Sequence, residues 1–125
     1  MRGTYNFTRQ DRCKFFLCFR DLVGDQKKGR VQLTGANISL YDCEKALEEL
    51  GYDHYDTDTN GWEMDFWWFF CAEGLPDLCV GGCAYTGDLY IQFEDEEYDT
   101  PDFEAKVEKL REAMNTNWLK YGLVV

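Results

Sequence analysis

Residues 59–71 read TNGWEMDFWWFFC, and this stretch decides the fold. Asn60-Gly61 is a strong short hairpin signal, because both residues tolerate the positive φ of a tight primed turn. After it, Trp62, Met64, Phe66, Trp68 and Phe70 fall on one face of a strand. Glu63 and Asp65 begin the other face, which turns apolar at Trp67, Phe69 and Cys71. The expected strand is half-exposed at its start and covered on both faces at its end. YDHYDT (52–57) supplies the preceding strand. Downstream, the loop AEGLPD leads to LCVGGCAY, and Gly87-Asp88 turns that run into LYIQFED. There Leu89, Ile91 and Phe93 alternate with Tyr90, Gln92 and Glu94. Gly81-Gly82 reads as a bulge or a close backbone approach.

Helical spacing surrounds this β region. Thr8 with Asp11 resembles a helix start, and Phe15, Phe16, Phe19, Leu22 and Val23 follow at near-helical intervals until Gly24. A strand over KFFLCF is the competing reading. DQKKGR is a solvated turn and VQLTG a candidate short strand. Ser39 caps a second helix whose stripe is Leu40, Cys43, Leu47 and Leu50; Gly51 stops it. Glu44, Glu48 and Glu49 are expected to point into water. Thr100-Pro101 starts a last helix with Pro at its first position, and Phe103, Val107, Leu110 and Met114 lie on one side. The expectation is a single α+β domain over 1–125: an antiparallel β-meander of about four strands with two to three helices packed on one face.

The chain's 125 residues include 24 acidic and 13 basic side chains, a formal charge of −11. Residues 1–30 carry net +5, 31–105 net −18 with Lys45 the one basic residue, and 106–125 net +2. Aromatics make up 17% of the chain, enough apolar mass to fold, so the acidity is not that of a disordered tail. A positive-field DNA or membrane binder is disfavoured, and no direct DNA binding is expected. No apolar run has the length of a membrane span, and MRGTYNFTRQDR lacks a signal peptide's apolar core, so a cytoplasmic protein is expected. Seventy-five consecutive residues whose charged side chains are all acidic but one call for a positive partner. It is either internal, with Arg9, Arg12, Lys14 and Arg20 lying over the acidic sheet, or external.

Catalytic chemistry is hard to find. The one histidine, His54, lies in a strand without a nucleophile elbow or Gly-rich loop, so a surface role is the simpler reading and no enzyme is expected. Asp56-Thr57-Asp58-Thr59-Asn60-Gly61 matches the first half of a calcium loop, but the twelfth position is Trp67 where a bidentate Glu is needed. An acidic hairpin explains it better. Of six cysteines, only Cys79 and Cys83 have near-metal spacing, and on a strand they stand about 13 Å apart. They meet at one metal only if Val80-Gly81-Gly82 turns. Reduced thiols, no metal and no cofactor are expected.

The remaining signals are aromatic and anionic. Trp62, Trp67, Trp68, Phe69, Phe70, Tyr85, Tyr90 and Tyr98 exceed what one sheet face needs. They form either a thick core under the helices or an exposed patch ringed by acids, as in a tight interface. Carboxylates at i and i+2 on a strand point the same way, about 7 Å apart. Asp53, Asp56 and Asp58 with Glu63 and Asp65, and a second line of Glu94, Asp95, Glu96, Glu97 and Asp99, are the expected partner-binding residues. Such rows approximate the phosphates of a nucleic-acid strand and suit a basic channel.

In size, in the acidic block 31–105 and in the EDEEYD run, the chain resembles the small acidic inhibitors of phages and mobile elements, the anti-CRISPR and anti-restriction proteins. That resemblance implies a protein partner, a Cas or other nuclease effector in a host bacterial cell, with carboxylates standing in for guide, target or PAM-region phosphates. It implies nothing about architecture, and the basic residues 1–30 depart from a uniformly acidic mimic. The alternatives are an immunity protein or antitoxin against a basic nuclease toxin, and a calcium-binding or structural interaction module. Whether the aromatic strand forms a homodimer is left open.

Overall fold

The Phe15–Val23 stripe resolves the choice between helix and strand at the start of the chain. Phe15, Phe16, Phe19, Leu22 and Val23 are all buried, an arrangement a helix gives and a strand, which sends Phe15 and Phe16 to opposite faces, does not. A computed structural model describes residues 9–25, 29–33, 38–61 and 64–120, with the side chains of 9–14, 17, 25 and 117–120 excepted. Its elements are α1 (Arg9–Asp25), β1 (Val31–Gln32), α2 (Leu40–Glu49), β2 (Asp53–Asn60), β3 (Asp65–Cys71), β4 (Leu78–Cys83), β5 (Asp88–Phe93), a 3-10 helix (Asp95–Asp99) and α3 (Phe103–Lys120).

The strands form one antiparallel sheet in the order β1-β5-β4-β3-β2. The last four make the meander. Val31 and Gln32 pair with Ile91 and Tyr90, so the short VQLTG strand adds a fifth at the β5 edge. Ser39 caps α2 through a reciprocal box: its hydroxyl accepts from the Asp42 N–H at 3.1 Å and its own N–H donates to the Asp42 carboxylate at 2.7 Å. Gly51, at φ +98°, takes the left-handed conformation just past the end.

The helices contribute Phe16, Phe19, Leu47, Val107 and Leu110 to a single core. The sheet contributes Phe70, Leu78, Val80, Leu89, Ile91 and Phe93, with Phe66 and Trp68 partly buried against it. These are alternate residues of each strand, so all three helices cover one face. Each fully buried Phe or Leu here contributes about 1.5–3 kcal/mol. Trp67, Phe69, Cys71, Cys79 and Tyr90, on the opposite face, take no part in that core.

Several expectations need correction. Asn60 is a strand residue paired with Asp65, so the β2–β3 connection runs over 61–64 and is not a two-residue Asn-Gly turn. Met64 sits in that connection, exposed and at φ 58°, rather than on the strand's apolar face. Trp62 and Glu63 lie outside the described residues. At the end of β3, Phe69 and Cys71 are only partly buried, and no described helix packs over them. α3 begins at Phe103, two residues after Pro101, with the Phe103 N–H donating to the Thr100 carbonyl at 3.3 Å. Glu44 does not project freely into water; His54 holds it.

Candidate protein-binding surface

Strand register orders the second face, uncovered by any described helix, into rows; on it Cys79 and Tyr90 are buried and Trp67 and Phe69 half-buried. Directly paired residues point the same way, so Asn60, Asp65, Cys83 and Asp88 form one row. Asp58, Trp67, Gly81, Tyr90 and Gln32 form the next, and Asp56, Phe69, Cys79 and Gln92 a third. Asp53 pairs with Cys71, and the Glu94 N–H donates to the Asp77 carbonyl at 3.0 Å, extending the ladder into a fourth row of Asp53, Cys71, Asp77 and Glu94.

Gly81 shapes the middle. A Cβ there would stand 2.6 Å from the Tyr90 hydroxyl and 3.1 Å from Trp67 Cδ1. Without one, Tyr90 crosses β4 and its hydroxyl accepts from the Trp67 indole N–H. This is the close approach expected of Gly81-Gly82; β4 keeps an unbroken register with β3 and β5, so there is no bulge. The Arg30 guanidinium lies over the phenol ring, 3.9 Å from its centroid. Burial raises the Tyr90 phenol above its usual value, opposed by Arg30 and by the Trp67 hydrogen bond.

β2 forms the acidic edge. Its register shifts between His54 and Asp56, which inserts Tyr55 as an extra residue. Tyr55 is half-exposed and packs toward Phe69, centroids 6.3 Å apart. The Thr57 and Thr59 N–H groups, on one edge of the strand, donate to the Asp56 and Asp58 carboxylates, each at 2.9 Å. Those carboxylates therefore occupy free donors that would otherwise invite another strand.

The fourth row leads into a carboxylate cluster. Burial pushes Glu94 up to about 7, with the charges of Glu96, Asp77, Asp95 and Glu97 adding to it. Burial also raises Asp77, against the nearby Lys106 ammonium. The EDEEYD run is a 3-10 helix rather than an extended line. It leaves Asp95, Glu96 and Asp99 exposed but turns Glu97 inward, where Lys106 reaches it at 3.4 Å. Glu97, expected on the surface, is thus a buried ion-pair partner.

Of the expected set, Asp53, Asp56, Asp58, Asp65 and Glu94 lie along the uncovered face, Asp95, Glu96 and Asp99 extend from one end, and Glu63 lies outside the described residues. Asp77, Asp88 and Arg30 belong to this face but were not singled out from the sequence. The alternation of LYIQFED already carried the signal, since it separates Asp88, Tyr90, Gln92 and Glu94 from the core residues. Arg30 is the one described cation on the face. α1 packs behind the sheet, where Arg20 is exposed; the side chains of Arg9, Arg12 and Lys14 lie outside the described set.

The other candidates take structural places. His54 stacks on Trp68 with centroids 4.5 Å apart, meets Glu44 at 3.0 Å and Thr57 Oγ1 at 2.7 Å. Residues 56–60 run as paired strand, so the oxygens of the calcium-loop half-match lie in a line instead of around a point. β4 passes straight through Cys79 and Cys83 without the turn a shared metal requires, and burial pushes the Cys79 thiol up to about 12. Among the described residues no group of three or more metal-ligating side chains comes together. No described helix is long and apolar enough to cross a membrane. Comparison with protein-family models, curated proteins and solved structures gives no significant match.

Proposed function

We propose that the protein is an acidic inhibitor of the anti-CRISPR type, which places its uncovered sheet face in a basic nucleic-acid-binding site of a bacterial nuclease effector and excludes the nucleic acid. One observation carries this reading. Among the described residues the helices occupy one side of the sheet, while the other presents Trp67, Phe69 and Tyr55 edged by Asp53, Asp56, Asp58, Asp65, Asp77, Asp88 and Glu94. Successive carboxylates along β2 repeat at about 7 Å, the order of the spacing along a nucleic-acid strand. The rigid ladder fixes their positions before binding, which limits the entropy lost on association. Long-range attraction to a cationic channel speeds encounter, and the aromatic strip supplies short-range contact.

The test uses purified CRISPR and restriction nucleases with fluorescent DNA. The expected result is dose-dependent release of DNA from at least one of them, weakening steeply as salt rises. DNA that stays bound across the panel at every dose contradicts the proposal.

A further inference from the structure

One depression on the uncovered face has more specific chemistry than the rest. It is lined by Arg30, Asp65, Trp67, Gly82, Cys83, Asp88 and Tyr90 and holds about 220 Å³. That is below the roughly 300–1,000 Å³ of small-molecule pockets and suits a single side chain. Asp65 and Asp88 flank Cys83 from the two neighbouring strands. Two strand spacings put their backbones about 10 Å apart, with both side chains on the same face. A guanidinium carries N–H donors along more than one edge, so a carboxylate leaning in from each side can accept from it.

We propose that this depression anchors one arginine of the protein partner, its guanidinium lying against Trp67 and hydrogen-bonded to Asp65 and Asp88. The proposal rests on the reading above, that the partner presents a basic surface, and adds which cation it uses and where. Arg30 gives a precedent within the same depression: its guanidinium lies over the Tyr90 ring, 3.9 Å from the centroid. Aromatic faces and carboxylate pairs favour a delocalised planar cation over a compact, strongly hydrated ammonium. Lysine satisfies the charge but neither the stacking nor the fork.

The experiment titrates blocked tetra-arginine and tetra-lysine peptides into the isotopically labelled protein and follows the Trp67 indole N–H and the amides of residues 65, 83 and 88. Tetra-arginine is expected to shift these signals and to bind at least about five-fold more tightly than tetra-lysine. The double variant Asp65→Asn/Asp88→Asn is expected to lose about ten-fold or more in tetra-arginine affinity. Glu48→Gln/Glu104→Gln, the same charge change on the helical side, is expected to lose less than about two-fold. Arg30→Ala, which frees the Tyr90 ring, is expected to tighten binding about two- to five-fold. Equal affinity for both peptides, equal losses in the two double variants, shifts confined to residues 95–99, or no binding each overturn the proposal. Arginine binding here by a protein that releases DNA from no nuclease removes the functional reading and keeps the pocket; DNA release without arginine preference does the reverse.

Discussion

Tyr90 lies across Gly81, with its hydroxyl 2.6 Å from where a Cβ of residue 81 would stand. The phenol fills the space of the missing side chain and joins β5 to β3 above β4 through Trp67. Gly81→Ala therefore displaces a packed ring. It is expected to cost about 1–2 kcal/mol in urea unfolding, the overpacking penalty exceeding alanine's ordinary advantage in a strand. In a Tyr90→Ala background the same substitution is expected to become neutral or stabilising, and an equal cost in both backgrounds contradicts this account.

The inward turn of Glu97 predicts a second effect. Its carboxylate is buried, and Lys106 at 3.4 Å is its ion-pair partner in the structure. Lys106→Met leaves that charge uncompensated and is expected to cost about 1–2 kcal/mol. Lys45→Met, at an exposed site on α2, is expected to stay within about 0.5 kcal/mol. Denaturant midpoints of the two variants check the contrast.

Glu94 predicts a pH dependence of defined sign. Its carboxyl titrates near 7 in the fold against 4.5 ordinarily, so between those values the folded state holds more protons than the unfolded state. Stability from this group is thus greatest below about pH 4.5, falls as pH rises through the window, and levels off above 7. Asp77, raised by burial, acts in the same direction. Glu94→Gln is expected to raise the urea midpoint at pH 8 and leave it nearly unchanged at pH 4.5. The same shift at both values contradicts the burial and crowding assigned to Glu94.

Local patterns in the chain were enough to read α2 and the core face of the sheet. Ser39, the Cys43–Leu47–Leu50 stripe and Gly51 are local signals, and Phe66, Trp68 and Phe70 alternate with Trp67, Phe69 and Cys71 as the pleat requires. The turn at Asn60-Gly61 was misread because pairing with Asp65 extends β2 through Asn60, a tertiary choice that overrides the dipeptide's preference. Glu97 was read as surface because charge alone does not reveal the Lys106 partner nine positions on. Likewise the contact of His54 with Glu44 arises only when α2 packs beside β2. The acidic residues were visible as a block, but their division between the uncovered face and the helical layer depended on the parity of five paired strands. The insertion at Tyr55 shifts that parity midway along β2.

The central claim concerns where the functional charge lies. Asp56 and Asp58 stand on the edge of the uncovered face, whereas Glu48 on α2 and Glu104 on α3 are exposed on the helical side. The most direct measurement compares Asp56→Lys/Asp58→Lys with Glu48→Lys/Glu104→Lys in the DNA-release assay, since both double variants change the net charge equally. The account predicts that the first raises the half-inhibitory concentration by about ten-fold or more and flattens its salt dependence, while the second stays within about two-fold. Equal losses in the two variants, or a greater loss from the helical side, contradict it.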